Sequence, residues 1–383
     1  LLADAADIEQ GVHGTRPQET TMAEGRAMGD AQARQALKDD LARFDCRVHQ
    51  PDDPPLFTRE PVSPTRALLW RWRHLEPLLE RIGAQIAIGS GGQRRTLRLS
   101  HPDLPFGTTP TFWASIQVIL PGEIAQAHRH TANAFRFIMR GGGATTTVNG
   151  ERYPMNEGDL VLTPGWTWHD HEHHGDEPMI WLDVLDISLM RSMHATFFEP
   201  HATDVQAVDA VPDRSYRAYG SGLMRPPRAG PPPPDNPLLA YPWDPCEAAL
   251  RQAAGLAPDP FDDIALEYQN PADGGPAMRT MGMSLQWLRP GVSTRARRHT
   301  GSKLYYVVRG EGETVVDGQC FEWRTGDFLM VAPWAWCELR NRSADSEAVL
   351  FRVDDVPAMK ALGYYREEAL STGGGHQKIK EPT

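Results

Sequence analysis

His128 and His130 stand at i and i+2 in the run Gln126-Ala-His-Arg-His130. On a strand this spacing projects both imidazoles from one face. His169 closes a second run, Gly158-Asp-Leu-Val-Leu-Thr-Pro-Gly-Trp-Thr-Trp-His169. Three imidazoles brought together by neighbouring strands would bind a borderline divalent metal ion. One such histidine alone would read as a packed or surface side chain. The pair, with a third His in a Gly-x5-Pro-x4-His pattern, favours a metal.

These residues need β-strands to carry them. From Thr111 onward short β-branched and aromatic runs alternate with Gly, Pro, Asn and Asp. Asn149-Gly150 and Asp317-Gly318 each sit between two such runs, a hairpin signal. Many short strands with regular turns predict an all-β-dominated fold, a sandwich or barrel. The halves also match each other. Gly158 through His169 lies over Gly326 through Cys337, with Trp166/Trp334 and Trp168/Trp336 in step at an offset of 168. Pro121-Gly122, His130 and Arg140-Gly141 lie over Pro290-Gly291, His299 and Arg309-Gly310 at an offset of 169. The chain therefore reads as a tandem duplication of one β module.

The copies are placed at residues 96–221 and 246–370. An N-terminal extension with helices, 1–95, precedes them, a Pro-rich linker, 222–245, joins them, and a flexible tail, 371–383, follows. Within the extension, 1–30 is expected to lack regular structure. Leu37, Leu41 and Phe44 predict an amphipathic helix over 31–45, and a leucine-rich pattern predicts another over 65–82. Gly89-Ser90-Gly91-Gly92 lacks the ending of a phosphate-binding loop and reads as a turn.

The 383 residues carry 39 Lys and Arg against 50 Asp and Glu, a formal net charge of −11, which disfavours a nucleic-acid binder. No apolar run approaches the roughly 20 residues of a membrane span. No secretory leader is apparent, and Met22 and Met28 are candidate alternative starts. Four scattered cysteines without a CxxC suit a reducing, cytoplasmic setting.

The stretch Pro121-Gly122 through His130, followed by Gly158 through Pro164 and His169, resembles the two motifs of the cupin superfamily. The usual first motif adds a Glu four or five residues after the second His, where this chain has Ala134 and Phe135. Its absence suggests a neutral three-histidine site, with positions left open for a chelating substrate and dioxygen together. The longer runs His128–Phe137, Leu162–His171 and Trp181–Asp186 resemble the gentisate 1,2-dioxygenase family, which includes salicylate and 1-hydroxy-2-naphthoate dioxygenases. The resemblance covers about residues 55–365 and is strongest over 110–200. It implies a bicupin of two tandem double-stranded β-helix barrels, assembled as a homotetramer. It also implies Fe(II), one per chain, in the N-terminal cupin. The implied reaction opens gentisate or a related salicylate between its carboxyl- and hydroxyl-bearing carbons with O2. Such an acid chelates through its carboxylate and ortho hydroxyl, and neutral ligands leave the metal positive enough to favour that dianion.

Arg136 follows the metal strand with even parity, so its guanidinium would meet the substrate carboxylate in the same lumen; a fold-supporting salt bridge is the alternative. The resemblance suggests that Arg94 or Arg95 closes over the carboxylate end, and Arg94 is preferred. Trp113, Ser115 and Gln117 share a face of the strand expected over 112–120 and would line the pocket; packing is the alternative for Trp113. By resemblance, Ser115 stands where gentisate enzymes have Ala and the salicylate enzyme Gly, which bears on ring substituents. His171 would contact the substrate hydroxyl or dioxygen as an acid/base, or face solvent. His173 and His174 read as surface histidines. Asp183 would orient a metal-bound histidine or support its strand.

In the second copy the three ligand positions are Arg297, His299 and Cys337. A cation at the first predicts no catalytic metal there and a packing role. Two other classes compete with the dioxygenase: a metal-dependent isomerase or decarboxylase independent of O2, and a non-catalytic bicupin that binds the aromatic acid.

Overall fold

The computed structural model describes residues 17–49, 53–89, 94–227 and 236–380, with backbone alone over 17–29. The described residues up to Arg59 form one compact unit and those from Glu60 onward another. In the first, a single helix runs Pro17–Ala42. It begins well before residue 31 and replaces irregular structure expected over 17–30. The run is rich in Ala, Glu, Gln, Met and Arg, all strong helix formers, and Pro is tolerated in a first turn. The expected apolar stripe is not buried, since Leu37 and Phe44 are exposed.

The second unit holds two β-barrels, each of two sheets. In the first barrel one sheet runs, in spatial order, Ala240–Tyr241, Leu160–Thr163, Ala134–Arg140, Met179–Leu185, Trp113–Ile119, Thr96–Arg98. The other runs Phe198–Pro200, Ile124–His130, His169–His173, Ala144–Val148, Glu151–Met155. The second barrel repeats this with Leu68–Trp70, Phe328–Val331, Lys303–Arg309, Ala348–Asp354, Gly282–Leu288, Ile264–Glu267. Its other sheet is Gln319–Arg324, Glu311–Val316, Cys337–Arg340, Arg297–His299, Glu367–Ala369. The duplication extends to backbone conformation. Asn149 and Asp317 take φ of 45° and 49°, and the glycines that follow 79° and 82°, as tight hairpin turns require. Trp166 and Trp334 share a φ of 64° and 63°.

Alternation along the strands sorts the side chains. In the first barrel Ala114, Ile116, Phe135, Phe137, Leu160, Leu162 and Leu182 face outward into the main core, where they meet the second barrel. Phe137 stacks on Phe351 with centroids 4.2 Å apart and meets Tyr306 at 5.8 Å. Residues of the opposite parity face the lumen. Its closed end is lined by Ile138, Met155, Val161, Met179 and Trp181.

The arm before each barrel crosses to the other barrel. Residues 65–71, expected to be helical, form no helix, and Leu68–Trp70 pairs with Phe328–Val331 of the second barrel. Tertiary pairing overrides the helical preference of the leucines there, and the helix starts only at Trp72, running to Gln85. Likewise Ala240–Tyr241, inside the expected linker, pairs with Leu160–Thr163 of the first barrel. The amide of Trp72 donates to Asp327 at 2.8 Å, and that of Trp243 to Asp159 at 2.9 Å. Residues 228–235 of the proline-rich stretch and 90–93 of the glycine-rich turn lie outside the described residues, as do 1–16 of the expected irregular N-terminus. The tail is pinned instead of loose, at least to Lys380. Gln377 donates to Val315 O at 2.7 Å, and the Lys380 amide to Gly318 O at 2.8 Å.

Candidate active site

His128 and His130 lie on Ile124–His130, and His169 opens the adjacent strand His169–His173, where it is the register partner of His128. One ring nitrogen from each comes within 4.8 Å of the others. Each ring is fixed in the same way. Nδ1 of His128, His130 and His169 lies 3.0, 2.9 and 3.0 Å from the carbonyls of Gln126, Ala132 and Thr167. A carbonyl can only accept, so Nδ1 of His130 and His169 carries the proton and Nε2 keeps its lone pair; Nδ1 of His128 faces both the Gln126 carbonyl and, at 2.9 Å, the donor Nη2 of Arg94. Nε2 of His169 is buried with no hydrogen-bond partner. Burial, then the nearby Arg94, pushes His128 down to about 2, and burial pushes His130 down to about 4. His169 falls well below its ordinary value, again chiefly through burial. Three neutral imidazoles with converging ring nitrogens form a site that could hold a metal ion.

Around this cluster the lumen is polar. Arg136, Asp183 and Ser115 are register partners across three strands and share one face. Arg136 is 3 % exposed; its Nη1 donates to Thr163 Oγ1 at 2.5 Å, and its Nε, 3.7 Å from Asp183, has no hydrogen bond. Burial lowers the Arg136 pKa, against the attraction of Asp183. Burial likewise raises that of Asp183, which Arg136 opposes. Asp183 therefore does not orient a histidine. The backbone carbonyls do, and the carboxylate balances Arg136. Ser115 Oγ is 3.4 Å from the carbonyl of Asp183. Gln117 is fully buried with both amide atoms unpaired.

Arg94 and Arg95 part company, because adjacent residues on an extended chain face opposite ways. Arg95 pairs with Glu123. Arg94 donates to Gln126 O at 3.0 Å beside the His128 ring, and its Nη1 is buried without a partner. Burial, then the like charge of Arg136, brings Arg94 down to about 9. Trp113 packs edge-on to Phe106 with Nε1 unpaired. His171 is buried rather than solvent-facing, with Nδ1 2.7 Å from Thr146 Oγ1. That hydroxyl lies 2.9 Å from Met155 Sδ, an acceptor only. With the hydroxyl proton on sulfur, Nδ1 donates to Thr146 and the unpaired Nε2 of His171 is an acceptor; with it on Nδ1, Nε2 carries the ring proton. Burial holds this ring neutral too. His173, expected at the surface, is buried with Nε2 2.6 Å from Glu177 O, whereas His174 is exposed.

Sequence reasoning did not single out Arg98, Thr146, Thr163 or Phe198. Arg98 shares parity with Arg94, pairs in register with Ser115, and lies 4.5 Å over the Trp113 ring. That parity was readable in Arg94-Arg-Thr-Leu-Arg98. Phe198 reaches the site through an edge strand that pairs with His128–His130, and its ring is 5.2 Å from that of His128. No local signal marks it.

A cupin domain pattern matches residues 115–185 and 284–354, one stretch in each barrel. The chain is 40 % identical over 350 residues to a 5-aminosalicylate 1,2-dioxygenase of Comamonas sp, covering 90 % of this chain and 92 % of that protein. It is 39 % identical over 330 residues to a gentisate 1,2-dioxygenase of Streptomyces sp, covering 82 % and 90 %. The chain belongs to the gentisate 1,2-dioxygenase family. The structure agrees. The salicylate 1,2-dioxygenase of Pseudoaminobacter salicylatoxidans, solved as adducts with gentisate, superposes with a TM-score of 0.82 at 33 % identity, over 88 % of this chain and 93 % of that one. The fold is therefore a bicupin, and the protein is an aromatic ring-cleaving dioxygenase of the gentisate 1,2-dioxygenase type. Among the described residues no helix is long and apolar enough to cross a membrane.

Proposed function

We propose that this protein uses one Fe(II) per chain, held by His128, His130 and His169, to open gentisate or a related salicylate between its carboxyl- and hydroxyl-bearing carbons with O2. The observation that carries this reading is the set of buried, unpaired polar atoms in one lumen: Nε2 of His169 and His171, Nη1 of Arg94, Nε of Arg136 and both ends of Gln117. Buried polar groups are ordinarily satisfied, so such a set marks groups that a ligand completes. When bound, the metal supplies a point of chelation and a path for electrons between ring and dioxygen. The chain's residues do the rest. Arg136 and Arg94 bind the carboxylate through free N–H groups, at full strength because water is excluded. His171 Nε2 accepts the hydrogen bond of the ring hydroxyl. Trp113 and Gln117 orient the ring, and Ser115 meets a ring substituent. Asp183 keeps Arg136 charged and aimed.

The 5-aminosalicylate and gentisate enzymes cited above both take a salicylate with a polar 5-substituent, which places such acids first for this chain. A homotetrameric assembly in the cytoplasm belongs to the same proposal; light scattering of the purified protein tests its size. The deciding experiment is oxygen uptake by anaerobically purified protein reloaded with Fe(II). Gentisate, 5-aminosalicylate, salicylate and 1-hydroxy-2-naphthoate are offered in parallel, with His128→Ala as control. The expected result is one O2 per ring opened, lost in the control. No uptake with any acid, despite one iron per chain, would sink the proposal.

A further inference from the structure

The second barrel has lost the histidine cluster but kept a polar lumen. Ser284 and Gln286 lie 169 residues after Ser115 and Gln117, at the same places on the equivalent strand. Met283, Leu285, Leu304, Phe351 and Val353 face the core between the barrels. Ser284, Gln286, Lys303, Arg352 and Asp354, of opposite parity and in register, therefore face the lumen. Three cations gather there. Arg297 replaces the first metal ligand and pairs with Asp262, which also lies 3.1 Å from Arg352 Nη1. Asp262 belongs to a loop, not to the barrel wall. Its backbone carbonyl is held by Gln286 Nε2 at 2.8 Å. The chain thus delivers a carboxylate of its own to two guanidinium groups in this lumen.

One cation is left over. Lys303 is 4 % exposed, and among the described residues no acceptor lies within hydrogen-bond or ion-pair reach of its ammonium. Arg297, Lys303 and Arg352 face two buried carboxylates, Asp262 and Asp354; the exposed Glu267 reaches Arg352 Nη2 at 4.0 Å but leaves Lys303 without a counter-charge, and burial lowers the Lys303 pKa. Cys337 does not supply one, because burial pushes that thiol up. Ser284 Oγ and Gln286 Oε1 are buried on the same face with no hydrogen bond, and Arg352 Nε, 3.5 Å from Asp354, makes none either. A buried cation without a counter-charge costs on the order of several kcal/mol. The unpaired donors add to that cost.

We propose that the lumen of the second barrel is a metal-independent binding site for a small monoanion, the size of formate or a halide, seated between Lys303, Ser284 and Arg352. The anion supplies the missing negative charge and takes hydrogen bonds from the Lys303 ammonium, the Ser284 hydroxyl and Arg352 Nε. This site is separate from the ring-cleaving lumen and does not depend on which acid is cleaved there.

The test uses the full-length holoprotein. Its unfolding midpoint is followed against sodium formate and, separately, sodium bromide, at fixed ionic strength with sulfate as balance. The expected result is a saturable rise for the wild type, with the half-saturating concentration raised at least ten-fold in Lys303→Met and three-fold or more in Ser284→Ala. Ring-opening kcat in both variants stays within two-fold of wild type. The salt that saturates lower tells a carboxylate site from a halide site. Crystals grown in bromide provide a readout without any variant, should Lys303→Met not fold: an anomalous peak within hydrogen-bond distance of Lys303 Nζ. The same linear, non-saturating rise in all variants, or bromide only beside Arg94 and Arg136, overturns the proposal.

Discussion

Arg136 makes one hydrogen bond, to Thr163, and keeps its Nε free beside Asp183. Replacing it by Met removes the carboxylate's partner; with that cation gone, the burial that raises the Asp183 pKa is opposed only by Arg94, so the group is pushed toward its neutral form. Loss of a buried charged hydrogen bond costs about 3 kcal/mol, or about two orders of magnitude in kcat/KM. Arg136→Met should show that loss with iron content unchanged, measured by oxygen uptake and metal analysis on the same sample. Unaltered kcat/KM would remove Arg136 from substrate binding. Much at this scale was legible because strand parity is a two-residue rule. It put His128, His130 and Arg136 on one face from numbering alone, and the resemblance left Arg94 or Arg95 to be decided by that same parity. It could not say which backbone carbonyls would fix the imidazoles, or that Asp183 would face Arg136 and not a histidine. Those depend on partners across strands. His173 was misjudged as a surface residue for a related reason, which also left the solvent-facing alternative open for His171. A polar His-Asp-His-Glu-His run looks solvated until neighbouring strands cover both of its faces.

Two elements of the fold carry more than their length suggests. Gly326 takes a φ of 90°, and a Cβ there would fall 2.6 Å from Cγ of Trp72. Gly326→Ala thus adds backbone strain to a clash with the arm that closes the second barrel, a cost of about 2 to 4 kcal/mol. A thermal melt should show a midpoint lower by several degrees, and Gly158→Ala, whose Cβ would fall 2.5 Å from the Trp243 ring, should behave alike. The other element is a pair of matched contacts between barrels. Thr280 donates to Asp186 at 2.6 Å, and Thr111 donates to Asp355, whose other oxygen accepts from the Ser302 amide at 2.8 Å. Burial raises Asp355 from 3.8 to about 7. A carboxyl whose folded pKa is raised stabilises fully below its unfolded value, and that contribution is lost as pH climbs through 7. Between pH 5 and pH 8 the loss is about 2 to 3 kcal/mol. Melts of wild type and Asp355→Asn at both pH values test this. The wild-type advantage at pH 5 should shrink by that amount at pH 8, and a pH-independent difference would refute it. The hairpins and the repeat were legible because Asn-Gly and Asp-Gly permit few other turns. The arms were not. Leu68–Trp70 has a helical composition, and only a sheet edge more than two hundred residues away makes it a strand.

At the scale of the whole molecule, the duplication and the crossed arms have one consequence. Each barrel depends on the other for an edge strand and for the outer face of its main sheet. Leu68–Trp70 precedes the first barrel yet closes the second, and Ala240–Tyr241 follows the first and closes it. The core that joins them, with Phe137 against Phe351 and Tyr306, buries apolar surface that an isolated barrel would expose to water. The chain is therefore one folding unit from Glu60 onward, although its sequence reads as two modules. The prediction follows for a chain divided between them. A fragment of residues 60–227 made alone lacks Ala240–Tyr241 and leaves its own arm without a barrel to close. It should aggregate or remain unfolded despite holding all three metal-site histidines. Made together with a fragment of residues 236–380, it should co-elute as a one-to-one pair and recover oxygen uptake with the acid that serves the intact protein. Far-UV circular dichroism and gel filtration of the single fragment, beside those of the pair, read the outcome directly. A soluble, iron-loaded, active 60–227 fragment would show that the crossed arms are dispensable and that the second barrel adds nothing the first requires.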